Sequence, residues 1–499
     1  MNPAIGNPQP GSPSAEPVPK GHPRGLYTLF FTEMWERFSY YGMRALLVLF
    51  MVDNLRGGMG LTDKTATSIY GLYTAAVYLM SLPGGWLADR VLGAQRAVWY
   101  GGIIIALGHF TLAVPRTETF YLGLVLVVIG SGVLKPNMSA MVADLYPEGG
   151  ARRDAGFTIF YMGVNLGAFI GPLVCSTLGE KLNWHYGFGA AGVGMVLGLI
   201  QFRMSRGLLG TAGLRRGNDR PLNAAERAGG IAAVTALVLL VGLSMAGVVK
   251  LNPIAIARSM SAVILAIGFL YFAGVFLFCG LNKVEKERIA VILVLFLSSA
   301  VFWAGFEQAG SSFNLFAERL TNRGFFSLEI PAGWFQSLGA LFIILFAPVF
   351  AWLWVRLARR HLDPSTPVKF AFGLLLLATG FLVMAGASKV VAAGHKAAPT
   401  WLVTTYLLHT FGELCLSPVG LSSVTKLAPR KLVGQMLGVW FLATSLGNLL
   451  AGLLAGEFRS DAVRQWPGLY LDIVLLPTLA GVLLIIFSRP IKRWLAGVQ

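Results

Sequence analysis

The chain consists of long apolar runs separated by short polar segments. About fourteen of these runs are long enough to cross a bilayer as helices, since about 20 apolar residues span the hydrocarbon core. The predicted spans lie near residues 26–52, 67–88, 97–114, 119–143, 156–178, 187–204, 229–248, 256–280, 288–316, 331–357, 368–391, 401–427, 432–456 and 468–488. This pattern predicts an all-α protein that crosses a membrane many times.

The spans fall into groups of six, two and six. A basic polar stretch at 205–228 follows the sixth span, and a charged connector from Lys283 to Arg288 follows the eighth. We interpret the groups as two six-helix bundles, with a substrate site between them at mid-membrane, joined by an inserted helix pair. The inserted pair carries no charged stripe, which favours a packing role. The predicted domains are a disordered tail (1–25), an N-terminal bundle (26–204), a linker with two extra helices (205–287), a C-terminal bundle (288–489) and a second tail (490–499).

The composition agrees with a membrane protein. Of the 499 residues, 55% are hydrophobic and 13% are charged, whereas a soluble protein carries about 25% charged residues. The net charge of +17 does not indicate nucleic-acid binding, because the basic residues cluster in short loops on one side of the predicted membrane. Examples are Arg90, Arg96, Arg152, Arg153, Arg356 and Arg359. By the positive-inside rule both tails are expected in the cytoplasm.

The first span carries a row of polar side chains. Its members are Glu33, Glu36, Arg37, Tyr40, Tyr41 and Arg44. Their spacings of one, three and four residues place them on one stripe of a helix. Four charges in an isolated span cost on the order of 10–14 kcal/mol, and the apolar residues of the span offset roughly half of that. The stripe must therefore face partners or a hydrated cavity. A buried structural network is the alternative, but six polar groups on one face favour a pathway for substrate or ions.

Three more charged residues lie deep inside other predicted spans. Lys135 lies deep in the fourth span, and Glu307 and Glu413 are isolated carboxylates in the C-terminal half. Each needs a counter-charge or water inside a membrane. Arg44 and Lys135 facing the two carboxylates would form salt bridges between the halves, which protonation or a charged ligand could break. Fixed pairs that only hold the bundle together are the alternative.

The segment between the second and third spans reads GGWLADRVLGAQR from Gly84 to Arg96. It resembles the loop signature of the major facilitator superfamily. Gly84 permits close helix packing, and Asp89 and Arg90 can form pairs across the interface between the halves. The resemblance implies a latch for one conformation, with an ordinary charged turn as the alternative.

Four stretches resemble signatures of the proton-dependent oligopeptide transporters, a family within that superfamily. They are EMWERFSYY from Glu33, FYMGVNLGA from Phe160, FWAGFEQAGSS from Phe302 and GELCLSPVGLS from Gly412. The likeness covers almost the whole chain beyond the first tail, and the extra helix pair fits the bacterial members. It implies a major facilitator fold in the bacterial inner (plasma) membrane and a symporter that couples proton flow to uptake of di- and tripeptides by alternating access.

The resemblance also implies the site residues. A dipeptide is charged at both ends, so its site needs cations for the carboxylate and an acid for the ammonium group. The residues expected at the substrate are Arg37, Tyr40, Tyr41, Arg44, Tyr78, Lys135, Asn165, Trp303, Glu413, Trp440 and Phe441. The three cations would face the carboxylate, Glu413 the ammonium group, and Asn165 the peptide amide. Any one aromatic residue alone is better explained by packing or by the membrane-interface belt, but the neighbouring motifs favour side-chain pockets lined by Trp303, Trp440 and Phe441.

Gating and proton coupling are expected from the same charges. The resemblance implies the pairs Arg44–Glu307 and Lys135–Glu413 as gates. Arginine stays charged at any accessible pH, so coupling must use carboxylates. The residues expected in coupling are Glu33, Glu36, Arg37 and Glu307.

Two positions depart from the family pattern. Gly71 stands where some relatives carry a proton-binding histidine, and His109 and His409 lie outside the matched motifs, as packing residues would. Gly339 stands where the family usually has asparagine in its eighth core helix. The second departure affects the contacts expected at the amino end of the peptide.

Other classes of function fit less well. The Gly-rich runs lack the Gly-Lys-Ser/Thr ending of a phosphate loop, and Cys175, Cys279 and Cys415 have no paired spacing. We therefore expect no enzyme activity, metal or cofactor, with the proton gradient as the driving force and peptides, protons and the lipid bilayer as the partners. The alternatives are a related symporter for nitrate, a glycoside or an amino acid, a respiratory pump or membrane enzyme, and a channel.

Overall fold

The computed structural model describes residues 21–148, 150–215, 223–325, 328–429 and 431–495. Within these ranges there are sixteen helices and one short hairpin. The helices are α1 (Gly25–Val52), α2 (Asp63–Leu87), α3 (Ala94–Leu112), α4 (Thr117–Asp144), α5 (Gly150–Lys181), α6 (Trp184–Ser205), α7 (Ala224–Met245), α8 (Pro253–Phe278), α9 (Lys283–Phe306), α10 (Ser312–Leu320), α11 (Ser337–Arg359), α12 (Thr366–Ala392), α13 (Pro399–Leu427), α14 (Val433–Ala455), α15 (Trp466–Ile486) and α16 (Ser488–Trp494). The hairpin pairs β1 (Gly324–Phe325) with β2 (Leu328–Glu329).

The helices form the two predicted bundles. Helices α1–α6 make the N-terminal bundle, and α9–α15 make the C-terminal bundle, with α10 continuing the span begun by α9. The bundles meet along a seam where α2 packs on α14 and α5 packs on α11. In the described ranges, nine helical segments are long and apolar enough to cross a membrane, judged by their length and composition alone. The predicted all-α fold class with two bundles and an inserted pair is confirmed.

The ninth predicted span is wrong at its end. The sequence predicts one helix through residue 316, but α9 ends at Phe306 and a 3-10 turn follows from Glu307 to Gly310 before α10. Ser311 leaves the helical region with φ −123° and ψ −94°. A side chain on Gly310 would overlap the Tyr70 hydroxyl of the other bundle. The helix is therefore interrupted where the two bundles approach, and Glu307 lies at the interruption.

The inserted pair reaches the seam through α8. This helix packs on α2 of one bundle and α14 of the other. Its Phe272 ring lies edge-on to Phe296 at 5.8 Å. At the end of α8, Lys431 donates a hydrogen bond of 2.8 Å to the Cys279 carbonyl oxygen. These contacts support the packing role inferred from sequence.

Parts of both predicted tails contact the folded chain. Residues 1–20 of the predicted tail 1–25 and residues 496–499 of the tail 490–499 lie outside the described residues. His22 Nδ1 lies 2.7 Å from the Tyr146 hydroxyl, and Arg152 donates to the Gly21 carbonyl oxygen. Helix α16 (Ser488–Trp494) covers the first half of the second tail. Gly21 and His22 are therefore held against the start of α5 and the residues just before it.

Gly84 and Gly85 offer a matched test of helix packing. A Cβ on Gly84 would overlap the Gly132 carbonyl of α4, whereas one on Gly85 would lie 3.8 Å from Pro136 in ordinary contact. We expect Gly84→Ala to lower stability by about 1–3 kcal/mol, as overpacking does. Gly85→Ala should leave it nearly unchanged. Thermal unfolding in detergent compares the two, and equal effects would contradict the close approach of α2 and α4.

Candidate functional site

The site is described with respect to two faces of the molecule. The tail face is where α1 begins and α16 lies, and the opposite face is where α1 ends and α2 begins. The polar stripe of α1 lies between them and is almost completely buried. Because the flanking apolar residues of α1 pack on α5 and α6, the stripe is directed toward the seam.

The stripe begins with an arginine held between two glutamates. Arg37 Nε lies 2.7 Å from Glu33 Oε1 and 3.0 Å from Glu36 Oε2. Glu36 is fully buried, and neither of its oxygens has a hydrogen-bond partner that meets both distance and angle criteria. One cation between two carboxylates leaves an excess of negative charge. This arrangement favours taking up a proton or a second cation.

Lys135 of α4 supplies a second cation near this cluster without pairing. Its Nζ lies 5.0 Å from the centre of the Tyr40 ring and 4.5 Å from that of Tyr78. No carboxylate of the described residues lies within ion-pair distance of it. The aromatic faces stabilise the ammonium group and leave its hydrogen atoms available to a ligand.

The far end of the stripe joins the two bundles. Arg44 forms an ion pair with Glu307 and donates a hydrogen bond to the Tyr70 hydroxyl. The Arg44 guanidinium also lies 5.6 Å from the centre of the Tyr41 ring. The structure thus brings together the first of the two pairs expected from the sequence. Tyr70 is an addition that sequence reasoning missed.

The second expected pair, Lys135–Glu413, is not formed. Glu413 is partly buried in α13 and has no ion-pair partner among the described residues. The ion pairs that join the bundles in those residues all lie between mid-membrane and the opposite face. Besides Arg44–Glu307 they are Arg56–Glu318 (3.3 Å), Asp63–Arg319 (2.8 Å), Lys64–Glu457 (2.8 Å), Glu180–Arg323 (3.7 Å) and Lys181–Glu329 (3.9 Å). The opposite face is therefore closed, and Lys135 and Glu413 stand apart on the two sides of the seam.

One loop carboxylate helps to fix this closed face. Partial burial raises the pKa of Asp53, but hydrogen bonds from the Trp184 indole and from the backbone N–H groups of Arg56, Leu55 and Gly58 outweigh it. The pKa is therefore below its ordinary value. Asp53 stays ionised beside Arg56, whose Nε is 3.6 Å away.

The remaining predicted substrate residues have different surroundings. Asn165 is buried and donates to the Tyr161 carbonyl oxygen at 2.9 Å. Trp303 is partly buried, and its indole N–H has no partner that meets the hydrogen-bond criteria. Trp440 instead packs against Phe370 in the C-terminal bundle, with 7% of its surface exposed. Phe441 is 40% exposed.

The predicted latch residues do not meet the other bundle in this conformation. Gly84 contacts α4, as described above, whereas Asp89 is exposed and Arg90 is partly exposed. Neither charge forms an ion pair with another described residue. Residues 88–92 form a short π-helical turn that carries both of them to the tail face.

Several contacts of the candidate site give little signal in one sequence. Tyr70 and Tyr73 look like ordinary aromatic residues of an apolar span, and the loop charges that close the opposite face are spread over distant segments. The Tyr40 and Tyr73 rings stack with their centres 6.3 Å apart, and neither hydroxyl has a hydrogen-bond partner in the described chain. A row of polar residues on α2 four residues apart could have indicated Tyr70.

No group of three or more His, Cys, Asp or Glu residues in the described chain is arranged to hold a metal ion. The site instead consists of cations and carboxylates placed along a seam between two helix bundles. That combination defines a membrane transporter with a major facilitator fold.

Comparison with known proteins identifies the family. The model of the POT family matches residues 95–465, and the chain belongs to this family. It is 44% identical over 493 residues to the peptide transporter YePEPT of Yersinia enterocolitica, covering 96% of each chain. It is 36% identical to a di-/tripeptide transporter of Lactococcus lactis, covering 96% of this chain and 98% of that one.

Solved structures agree along nearly the whole chain. The peptide transporter POT in complex with sulfate is 41% identical, with a TM-score of 0.88 over 95% of this chain and 96% of that one. A mutant of POT in complex with alafosfalin has a TM-score of 0.87 at the same identity and coverage. The fold of this chain is therefore that of the solved POT structures.

Proposed function

We propose that the protein is a proton-coupled symporter that imports di- and tripeptides by alternating access. Relatives named as peptide and di-/tripeptide transporters, 44% and 36% identical, support this substrate class. The cargo is a zwitterion, and no covalent chemistry, cofactor or metal takes part. The proton gradient supplies the free energy.

The observation that carries the proposal is that Lys135 and Glu413, on the two sides of a seam closed at the opposite face, do not form an ion pair. Lys135 lies near Arg37 on one bundle and Glu413 lies on the other, and neither has an ion-pair partner among the described residues. A short peptide can offer its carboxylate to the first and its ammonium group to the second, and a long chain or a single ion cannot bridge them equally well. Peptide binding then draws the bundles together on the tail face.

The proton sites are Glu33, Glu36 and Glu307. Protonating Glu307 neutralises its pair with Arg44 and frees the opposite face to open. Glu33 and Glu36 share Arg37, so one added proton leaves a balanced pair. Coupling results only if proton and peptide each bind the two conformations with different affinity.

The basic loops orient the molecule. They lie on the tail face, which we assign to the cytoplasm of a bacterial inner (plasma) membrane, with both termini on that side. The closed opposite face then points outward, away from the cytoplasm. The Asp89–Arg90 turn would act as a latch in the reverse conformation.

Transport into proteoliposomes tests the proposal. With an imposed gradient, acidic outside, labelled dialanine should accumulate above its external concentration, and a protonophore should abolish the accumulation. Unlabelled di- and tripeptides should compete, whereas nitrate, glycosides and free amino acids should not. Competition by one of those solutes alone would assign the protein to the related symporters, and flux without accumulation would identify a channel.

A further inference from the structure

A buried hydroxyl group of α13 has no partner. Thr410 is fully buried, and its Oγ1 atom has no hydrogen-bond partner among the described residues. A threonine inside a helix can donate to the carbonyl oxygen four residues earlier, as Thr405 of the same helix does to Trp401 at 2.9 Å. A buried hydroxyl without a partner costs free energy. A ligand that supplies a hydrogen bond to Thr410 would therefore gain affinity.

The unpaired hydroxyl faces a position that has no side chain. Gly339 lies in the first turn of α11, and a Cβ added there would have only Thr410 Oγ1 close to it, 4.0 Å away. By contrast, a Cβ on Gly373, Gly380 or Gly412 in α12 and α13 would meet another atom at 3.0 Å or less. Gly339 is also partly exposed. The start of α11 therefore leaves space in front of Thr410.

This space lies at the seam, beside Glu413. Gln336, one turn before Gly339, donates a hydrogen bond of 3.5 Å to the Ala45 carbonyl oxygen of α1, so this side of the segment faces the N-terminal bundle. Glu413 follows Thr410 by three residues in α13. That spacing places the two side chains on one face of the helix, with their Cβ atoms about 5–6 Å apart. A polar space and an unpaired carboxylate are therefore neighbours.

We propose that Gly339 and Thr410 form a subsite for the side chain of the first residue of a bound peptide, and that this subsite favours a short side chain able to form hydrogen bonds. The inference rests on the proposed function, in which Glu413 holds the ammonium group of the peptide. The ammonium group and the first side chain leave from the same carbon atom. A side chain of two or three bonds therefore reaches the space beside Thr410 while the ammonium group stays at Glu413.

The chemistry of the space distinguishes between side chains of similar size. The Thr410 hydroxyl can donate to a carbonyl oxygen of the ligand or accept from an amide N–H. Asparagine offers both groups, whereas leucine has nearly the same shape and neither group. An apolar side chain would leave the buried hydroxyl unpaired, and a site with an unpaired polar group rejects such a ligand. We expect the affinity to differ by about tenfold.

Competition between matched dipeptides tests the subsite. Uptake of labelled dialanine into proteoliposomes is measured with unlabelled asparaginyl-alanine or leucyl-alanine, and with the reversed peptides alanyl-asparagine and alanyl-leucine. Asparaginyl-alanine should inhibit at an approximately tenfold lower concentration than leucyl-alanine. The reversed peptides should not show this preference, because both have a methyl group as their first side chain.

Two variants assign the preference to the subsite. Thr410→Val keeps the shape of the side chain without the hydroxyl, and it should bring the ratio of the two inhibitory concentrations close to one. Gly339→Asn should have the same effect by another route, because its own amide would occupy the space and pair with Thr410. Thr379→Val is the matched control. Thr379 is exposed in α12 and donates to the Leu375 carbonyl oxygen at 2.8 Å, so the preference should persist in that variant.

The outcomes separate the subsite from the proposed function. Equal inhibition by asparaginyl-alanine and leucyl-alanine would overturn the subsite and leave peptide transport in place. A preference that survives both Thr410→Val and Gly339→Asn, or that is equally strong in the reversed peptides, would also overturn it. If none of the four dipeptides inhibits uptake, the proposed function fails and the subsite fails with it.

Discussion

Glu307→Gln should abolish peptide accumulation under a pH gradient while leaving counterflow exchange within a few-fold of the parent. Removing one partner of a buried ion pair costs about 3–5 kcal/mol, because the other charge is left without compensation. Arg44 would then no longer be paired with a group that can be protonated. Protonation could therefore no longer control the opening of the opposite face. We expect gradient-driven uptake to fall by about 100-fold or more. Exchange survives because rocking between conformations with bound peptide needs no proton step.

Glu457→Gln is the matched control for this prediction. Glu457 also pairs across the seam, with Lys64 at 2.8 Å, but 52% of its side chain is exposed. An exposed pair contributes about 0–1 kcal/mol, so uptake should change by less than about fivefold. A Glu307→Gln protein that still concentrates peptide would remove Glu307 from the coupling scheme.

Lys135→Gln should abolish both gradient-driven uptake and counterflow. The same ammonium group is proposed to hold the peptide carboxylate and, in the reverse conformation, to pair with Glu413. Losing one member of such a desolvated charge pair costs about 2–5 kcal/mol, so the loss of uptake should be on the order of 100-fold. Peptide affinity measured by calorimetry should fall along with transport.

Lys369→Gln provides the comparison for Lys135→Gln. Lys369 also lies over an aromatic ring, 4.8 Å from the centre of Trp354, but it pairs with Asp363 at 2.9 Å and belongs to α12. Its replacement should leave both assays near the parent values. Normal counterflow in Lys135→Gln would show that the lysine acts in neither binding nor gating.

The two variants together separate proton coupling from peptide binding. A protein that exchanges but does not accumulate has lost the proton step, whereas one that does neither has lost the cargo site or the tail-face gate. Reversing the charges in a Lys135→Glu, Glu413→Lys double variant extends the test. If the residues pair in the reverse conformation, partial recovery of counterflow is expected, since contacting residues couple by about 0.5–3 kcal/mol.

The sequence predicted the polar stripe of α1 well because the cost of burying charge is large and local. Each of the charges Glu33, Glu36, Arg37 and Arg44 is expensive in hydrocarbon, and helical periodicity alone places them on one face. The structure buries all four along the seam. The pairing of Arg44 with Glu307 came from the family resemblance, because a single sequence carries no information on which distant charge it meets.

Other features were beyond a reading of the sequence. The break in the ninth span arises where Gly310 meets Tyr70 of another bundle, and no local residue pattern encodes that approach. The hydrogen bonds from the Ala332 and Gly333 N–H groups to the Glu180 carboxylate likewise join residues 152 and 153 positions apart. Lys135 and Glu413 remain apart because one conformation can close only one face of the seam.

The sequence by itself determined the grouping of the long apolar segments and the charges that must avoid lipid, since apolar length and the cost of a buried charge act within one segment. The tertiary structure decided which charges meet, where a helix breaks and which face is closed. Those outcomes depend on the distance between segments far apart in the chain. They differ between conformations that the same sequence must adopt in turn.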